Sequence, residues 1–583
     1  MRYGPALALH AAVLLLGVAM LWEPGKWGGE DWDYFAHHYE AMRRSVLEYR
    51  QVPWWNPWSC GGLPLATNPQ LGLISINFPL VLIFGTYPGL KLAVLLHLIA
   101  AAEGARWLAG LWFRDELARA VVAFIYVFNG SVALYVAAGH LGIELIAFVP
   151  WAIGLAFWME RAWRWGFALG AVLAVAVLES FQYFVVYLVM MLVGLIAWRF
   201  WISSRDKRRL LLLGCLSAGA MFLALAGMRT VLVGKLIRDF PRTRFSIIHQ
   251  HVSLQTLGVM FVRPGQNMDY RFQTDAGTMG IGWHEYGCYV GVLPCVLFAA
   301  SIRQGWRWWH TLTLACFWLA LGNDSWYLPS DWLTHLPVLN TLRVASRWRV
   351  VGVLGIALGC GAALAELRES SRKMWRMVAT GVAGLIALDL FLNAWPVYRN
   401  VFLNEPMVIA REANDRGFVQ IHHENLPVAP KPGTMMMATL LANYGVIYSY
   451  EPVLGQGKPL SGRVWQRHKD YQAEYWSPDG PVELVRWSPN AISLRAPPHA
   501  EVHVNQNPGS YWFVNGQPAF PQHRSVDRQA PFQVPADSNG VVELSIVPSG
   551  FSWGWAATSI GLLGVVLIQG MHQKLHGRQS QDK

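Results

Sequence analysis

The sequence predicts a polytopic α-helical membrane protein with a mostly β domain on its C-terminal side. Of its 583 residues, 54% are hydrophobic and 14% are charged, whereas a soluble domain carries about 25% charged residues. Long apolar segments recur along the chain, and one long polar, proline-rich segment occupies 396–550. We therefore expect a transmembrane domain at 1–395, an extracytoplasmic β domain at 396–550, and a last transmembrane helix with a tail at 551–583.

Twelve apolar segments are candidate membrane spans, since a span needs about 20 residues. They lie near 5–22, 89–112, 119–138, 141–159, 166–178, 183–201, 210–233, 285–302, 306–322, 349–365, 374–395 and 551–571. With the N-terminus in the cytoplasm, every inner loop is basic, as the positive-inside rule requires. We expect an integral multi-pass protein of a bacterial inner (cytoplasmic) membrane, with both termini cytoplasmic and the first loop, 23–73, outside.

The polar segment contains short strand-like stretches separated by turn signals. The stretches are VELVRWS, AISLRA, AEVHVNQ and VVELSIV, and the separators include SPN, APPH and DSNG. Short strands at this spacing are typical of an antiparallel sandwich.

The net charge of +11 does not indicate nucleic acid as a partner. The basic residues lie in short loops between apolar segments, and no nucleic-acid motif or basic tail is present. The six cysteines form no CxxC pair and mostly lie in apolar runs. They are best interpreted as small core residues.

An acidic cluster follows the first apolar run. The stretch EDWD places Asp31 and Asp33 at the outer mouth of the first span, ahead of the amphipathic run YFAHHYEAMRRSVLEYR. One interpretation is that the aspartates cap this helix, because acids bind the free N–H groups of a helix start. Capping needs one acid and three are present, so a chemical role stays open. The run PWWNPWSCGGLPLATNPQLG then predicts a shaped loop, a candidate substrate lid, whose Trp residues suit the membrane interface.

Two arginines lie at the outer end of the tenth span. The stretch LRVASRWR places Arg343 and Arg347 one helical turn apart, against the positive-inside rule. Guanidinium groups at a helix N-terminus are suited to binding a phosphate. The alternative is that they pair with anionic lipid or with the acidic loop.

Further ionisable residues occupy the predicted outer turns. The stretches AGHLGIE, LESFQ and GWHEYGCYVG contain His140, Glu144, Glu179, His284 and Glu285. Polar groups at this depth are costly and often functional. A structural hydrogen bond explains any one of them, but together His140, Glu179, His284 and Glu285 predict an outward-facing cavity. His140 and Glu144, four residues apart, are only a weak signal for a divalent metal, because a third ligand is missing.

Several motifs occur in a fixed order over nearly the whole chain. They are DWD after the first span, PWWNPWSCGGLPLATNPQ, GH with PW downstream, EYGCYVG, LPVLNTLRVASRW, and NQNPGSYWFVNGQP in the β domain. This order resembles YfhO-like membrane proteins of the GT-C glycosyltransferase superfamily, and a GT-C-like membrane domain is the fold that the resemblance implies.

The resemblance also implies an activity. It is the inverting transfer of a sugar from a polyprenyl-phosphate carrier to a glycan, lipid or protein acceptor of the cell envelope. The resemblance assigns the catalytic base to the first outer loop, at Asp31 or Asp33. The leaving phosphate needs positive charge, which Arg343 and Arg347 would supply. No cofactor is required by the motifs, and a divalent metal is left open.

Two other classes of function compete with this one. A transporter or flippase of a lipid-linked sugar would explain the many spans, but the ionisable groups crowd one face, and no strong inverted repeat is present. A non-catalytic assembly protein would use the β domain to bind a glycan or a partner, with the spans as its anchor.

Overall fold

The apolar segments of the sequence form helices in a computed structural model of the protein. The structure describes residues 3–180, 183–239, 252, 254–266, 283–321, 344–409, 417–422, 435–447, 463–520, 532–548 and 550–581. The helices of the first half are α1 Gly4–Leu21, α2 Asp31–Leu47, α3 Asn77–Phe84, α4 Thr86–Ala109, α5 Glu116–Phe128, α6 Gly130–Ala138, α7 Val149–Met159, α8 Trp165–Glu179, α9 Tyr183–Ile202 and α10 Arg205–Asp239. Those of the second half are α11 Leu254–Met260, α12 Trp283–Tyr286, α13 Val292–Ser301, α14 Trp308–Ala320, α15 Trp348–Glu369, α16 Lys373–Arg399, α17 Met435–Leu441 and α18 Phe551–Gln581.

Nine stretches of the described chain are long and apolar enough to cross a membrane, by length and composition. Two further apolar helices, α8 and α13, are shorter, and α14 has 13 residues. Each of the twelve predicted segments therefore coincides with helical structure, although three of them form helices shorter than a full span.

Two predicted spans, the third and the fourth, are not continuous α-helices. The third is divided at Asn129, whose side chain caps α6 by accepting the N–H groups of Ser131 and Val132. The fourth begins as a 3₁₀ segment, Leu141–Ala147, before α7 continues it. The turn between them, at Gly139 and His140, thus joins two short helical pieces rather than two long ones.

The helix ends collect on two faces of the membrane domain. At one face Asp115 pairs with Arg368 at 3.1 Å. At the other face, Trp27 donates its backbone N–H to the carbonyl of Asn404 at 3.0 Å. We call the second face, which carries 23–73, 139–148, 283–291 and 344–347, the loop face. The basic loops predict that the loop face is extracytoplasmic.

The buried centre of the membrane domain is α15, which has 18 buried residues out of 22. An apolar surface all round is typical of a helix enclosed by others. Its glycines let neighbours approach closely, since a Cβ at Gly355 would lie 2.0 Å from the hydroxyl of Thr313. Because α15 starts directly after Arg347, this enclosed helix fixes the place of that arginine.

The polar segment folds into β structure, as the sequence predicted. The first loop holds a hairpin of β1 Trp55–Asn56 and β2 Leu63–Pro64, and the polar segment holds β3 Val419–Ile421, β4 Tyr444–Val446, β5 Tyr475–Trp476, β6 Glu483–Ser488, β7 Ala491–Arg495, β8 Glu501–Val504, β9 Trp512–Val514, β10 Gln517–Pro518, β11 Phe532–Pro535 and β12 Val541–Ile546. Antiparallel sheets of order β10-β9-β12-β7-β6 and β11-β8-β5 share one apolar core. The predicted fold class, a polytopic helical membrane protein with a C-terminal-side β domain, is confirmed.

The first loop is enclosed between the membrane domain and the β domain. Trp55 belongs to the β-domain core, and its ring N–H donates to the amide oxygen of Gln506 at 3.1 Å. The amide of Asn507 donates to the carbonyls of Cys60 at 2.8 Å and Gly62 at 2.7 Å. Because Trp55 and Trp58 are fully buried, the prediction that they lie at the lipid interface was wrong. Contacts with the distant β domain replace contact with lipid.

Candidate active site on the loop face

Four chain segments meet at the loop face and bring five ionisable side chains together. These are the first turn of α2, the turn after α6, the short helix α12, and the 3₁₀ turn Ala345–Arg347 ahead of α15. The side chains that they contribute are Asp31, His140, His284, Glu285 and Arg347, which we call the loop-face cluster. The sequence predicted all five as site residues, and their proximity is a finding of the structure.

His140 lies at the middle of the loop-face cluster. Its Nε2 is 3.3 Å from Oδ2 of Asp31, and its Nδ1 is 4.0 Å from Oε1 of Glu285. The rings of His140 and His284 have centroids 5.8 Å apart. The side chain of Asp31 is 32% exposed, whereas that of Glu285 is 6% exposed. Asp31 is therefore the carboxylate that a molecule arriving at the loop face can reach.

Glu285 and Arg347 form a bidentate ion pair beneath this histidine. Arg347 donates its Nε–H to Oε2 of Glu285 at 3.0 Å and a second N–H to Oε1. The hydroxyl of Tyr135 also donates to Oε2, at 3.0 Å. Burial raises the pKa of Glu285, but the charge and hydrogen bonds of Arg347 outweigh it and hold that pKa well below its ordinary value. Burial lowers the pKa of His284, which favours its neutral form.

Arg349 is a member of this site that the sequence analysis did not single out. It is fully buried and donates to the carbonyls of Gly287 at 3.0 Å, Ser346 at 2.9 Å and His284 at 3.2 Å. These bonds tie α12 to the turn that carries Arg347. The available signal was an arginine inside a predicted span, which is costly unless its charge is used.

Gly139 allows the first turn of α2 to approach His140. Its φ is +75°, and a Cβ there would lie 2.3 Å from the backbone nitrogen of Trp32 and 2.8 Å from the carbonyl carbon of Asp31. The ring N–H of Trp32 donates to the carbonyl of Val136 at 2.8 Å, a carbonyl at the end of α6 that also accepts the N–H of Gly139 at 3.1 Å. In the GH pair, Gly139 thus permits the close approach of α2, and His140 contacts Asp31 on that helix.

Gly139→Ala is expected to lower the free energy of unfolding by about 3 kcal/mol, since it combines a left-handed backbone with overpacking. Gly516→Ala is the matched control, because Gly516, in the turn between β9 and β10, has φ +78° and no atom within 4 Å of its Cβ position. That control should lose only about 1 kcal/mol. Denaturant unfolding in detergent micelles measures both values. Equal losses would show that the contact with Asp31 and Trp32 carries no strain.

Asp33 points away from the loop-face cluster, to α17. Its two carboxylate oxygens accept the backbone N–H groups of Met436 at 2.7 Å and Met437 at 3.0 Å. At the other end of α17, Arg44 donates to the carbonyl of Leu440 at 2.7 Å. Helix α2 therefore supplies an acid to the N-terminus and a base to the C-terminus of α17, as the helix dipole favours. The capping role that the sequence suggested applies to Asp33, but for a different helix.

Asp33→Ala is expected to destabilise the protein by about 1–2 kcal/mol, as loss of a helix cap does. The loss of stability should be larger at pH 5 than at pH 7.5. Burial raises the pKa of Asp33 from 3.8 to about 6, against the backbone N–H bonds that lower it. The folded state therefore takes up a proton between pH 6 and pH 4 that the unfolded state does not, and acidification adds stability. Thermal unfolding of both forms across this pH range measures the difference.

Asp33→Asn keeps one acceptor and cannot titrate, so it should lose less stability than Asp33→Ala. Its stability relative to Asp33→Ala should not change between pH 7.5 and pH 5. An Asp33→Ala effect that stays constant over this range would contradict the buried-charge argument.

The remaining predicted site residues lie elsewhere. Arg343 lies outside the described residues. Glu179 is not in the loop-face cluster, because it contacts His97 together with Glu144. The sequence paired His140 with Glu144 as possible metal ligands. In the structure His140 contacts Asp31, whereas Glu144 contacts His97. In the part of the chain that is described, His97, Glu144 and Glu179 form the one group with metal-ligand spacing.

Comparisons with known proteins give weak structural likenesses. No family model matches the chain, and no curated protein matches it. The arabinofuranosyltransferase AftD from mycobacteria has 14% identity and a TM-score of 0.43, over 79% of this chain and 33% of its own. ArnT from Cupriavidus metallidurans, solved with undecaprenyl phosphate, has 14% identity and a TM-score of 0.44, over 79% of this chain and 90% of its own. The oligosaccharyltransferase of Archaeoglobus fulgidus has 12% identity and a TM-score of 0.45, over 77% of this chain and 65% of its own.

This chain spans about a third of the length of AftD and about two thirds of that of the oligosaccharyltransferase. Likenesses with TM-scores below 0.5 do not establish a shared activity, and they do not identify the YfhO-like subfamily.

Proposed function

We propose that the protein is an inverting glycosyltransferase that moves a sugar from a polyprenyl-phosphate donor to an envelope acceptor at its loop face. The observation that carries the proposal is the loop-face cluster, in which a reachable carboxylate lies 3.3 Å from a histidine, beside a second histidine and an arginine that Glu285 holds in place. A single displacement at a sugar needs these two kinds of group: a base for the acceptor and positive charge for the departing phosphate.

Asp31 is the base in this proposal. Its carboxylate takes the proton of the acceptor hydroxyl while the hydroxyl oxygen forms a bond to the anomeric carbon. The bond from that carbon to the phosphate oxygen breaks on the opposite side, and its electron pair leaves with the phosphate. Of the two predicted aspartates, Asp31 is assigned because Asp33 is 5% exposed and both of its oxygens accept N–H groups of α17.

His140 is a positioning residue in this proposal. Its Nε2 lies 3.3 Å from Oδ2 of Asp31, so an N–H on that nitrogen would orient the carboxylate towards the acceptor. The turn at Gly139 sets this distance, since it brings the backbone of α2 against the end of α6.

Arg347 is proposed to hold the leaving phosphate, together with Arg343. Glu285 accepts two of its N–H groups, so Arg347 pairs with an acid on α12, which is not part of the acidic loop named as an alternative from the sequence. A guanidinium fixed in this way is an oriented donor. Part of its charge is already balanced by Glu285, so Arg343 has the larger share of the phosphate charge in the proposal.

The experiment that tests the proposal uses purified protein in lipid vesicles with radiolabelled polyprenyl-phosphate sugars and an envelope acceptor fraction. Label in the acceptor is the expected result, and a donor of known anomeric configuration should give a product of the opposite configuration. A product that keeps the donor's configuration would contradict a single displacement. Labelled lipid that crosses the bilayer without any transfer would favour the flippase instead.

A further inference from the structure

A second cluster of buried ionisable groups lies close to the loop face but apart from the loop-face cluster. It consists of His97 on α4, Glu144 on the 3₁₀ segment Leu141–Ala147, and Glu179 at the end of α8. Their exposed fractions are 2%, 4% and 2%. One ligand atom from each of the three lies within 4.8 Å of the others. We call this group the buried triad.

Each member of the buried triad is held by a hydrogen bond at one of its two polar atoms. Nδ1 of His97 donates to the carbonyl of Ala93 at 2.8 Å. Oε2 of Glu144 accepts from the amide of Asn77 at 2.7 Å. Oε1 of Glu179 accepts the backbone N–H of Ile76 at 2.5 Å. Histidines and carboxylates that bind metals are held in this way by partners outside the metal site.

The second polar atom of each member has no hydrogen-bond partner among the described residues. These atoms are Nε2 of His97, Oε1 of Glu144 and Oε2 of Glu179. If Nδ1 carries the only proton of His97, its Nε2 would present a lone pair to a bound cation. The nearest contact of Nε2 with Glu179 is 3.7 Å, to Oε1, which is too long for a hydrogen bond. Buried polar atoms without partners are rare, and here three of them occur in one group.

The charge of the buried triad also calls for a cation. In the described part of the chain, the only ion pairs of Glu144 and Glu179 are with His97. Even a protonated His97 would balance only one of the two buried carboxylates, and unbalanced buried charge is strongly unfavourable. One divalent ion would balance both carboxylates.

We propose that His97, Glu144 and Glu179 bind one divalent metal ion of the zinc type. One imidazole nitrogen and two carboxylate oxygens suit Zn²⁺, which is bound at about 2.0–2.2 Å by such ligands and takes four in a tetrahedron. Asn77 offers a fourth, since its Oδ1 is also buried without a partner in the described residues. The ion would join the middle of α4 to the first residue of α3, the last residue of α8 and the 3₁₀ segment, so its role is structural.

The test is a zinc titration of the purified full-length protein in detergent after removal of metals with EDTA. We expect one tightly bound zinc per chain, measured by atomic emission. Glu179→Gln and Glu144→Gln should each weaken binding at least about tenfold. The matched control is the double variant Asp31→Asn with His140→Gln, which changes the loop-face cluster and should bind zinc as the wild type does.

Two results would overturn the proposal. One is a wild-type protein that binds no more zinc than the Glu144→Gln, Glu179→Gln double variant. The other is zinc that is lost in the Asp31→Asn, His140→Gln control but kept in the triad variants. If the triad variants do not fold, X-ray absorption at the zinc edge of the wild-type protein decides. Nitrogen and oxygen ligands that include one imidazole are expected, and sulfur ligands would contradict the site.

Discussion

Asp31→Asn is expected to lower the rate of sugar transfer by roughly 10²–10⁴-fold, the usual contribution of a general base. The amide keeps the shape of the carboxylate and can still accept a hydrogen bond from His140, but it cannot take the acceptor's proton. Because the side chain of Asp31 is partly exposed, folding should be unaffected. Initial rates with a labelled polyprenyl-phosphate sugar, together with the thermal transition of the purified variant, measure both effects.

Asp33→Asn serves as the control for this experiment. It removes an equal charge two residues away on the same helix, at a side chain that contacts α17 and not the loop-face cluster. We expect it to retain most of the transfer rate while it changes the stability. The opposite pattern, with transfer lost in Asp33→Asn and kept in Asp31→Asn, would assign the base to Asp33.

Arg347→Met is expected to destabilise the protein by about 3–5 kcal/mol, because it leaves the buried carboxylate of Glu285 without its cation. The double variant Arg347→Met with Glu285→Gln should recover much of this loss, since no uncompensated charge remains. Unfolding of the two single variants and the double variant in detergent gives the coupling energy. If the effects simply add, the ion pair does not contribute as we infer.

The pH dependence gives an independent check on this ion pair. In the wild type the pKa of Glu285 is depressed, so the stability from the pair is present above the ordinary value of 4.5 and is lost as the pH falls towards the depressed pKa. In Arg347→Met, burial remains the largest effect on Glu285 and raises its pKa against the smaller effects of His140 and His284, so that acid pH relieves the unpaired charge. The difference between the two proteins should therefore be largest near neutral pH and smaller near pH 4.

The spans and strands were predictable because each rests on a local pattern. Apolar length identified the twelve helical segments, and the four stretches between turn signals became β6, β7, β8 and β12. The members of the loop-face cluster were predictable one by one, since Asp31, His140 and Glu285 each lie beside a span on the same predicted side, but their proximity was not. Alternation of the spans is enough to bring such turns to one face.

The contacts between distant segments were not predictable, because no local pattern specifies them. Asp33 was expected near the chemistry, yet it meets α17, which lies 403 residues further along the chain. His97 was not singled out, although a histidine in an apolar run is a signal that a buried partner exists. Asp389, inside the eleventh predicted span, accepts the hydroxyl of Tyr289 at 2.9 Å, a partner 100 residues away that no local pattern indicates.

The two-ended capping of α17 by α2 determines the order in which the protein can be completed during synthesis. Asp33 and Arg44 emerge early, but the helix they cap follows 403 and 396 residues later. At 5–20 residues per second this interval is about 20–80 s. During that time the first loop has neither α17 nor the β-domain residues that enclose Trp55. A ribosome-bound chain that ends before residue 435 therefore lacks the finished loop face, whatever number of its helices is already in the membrane.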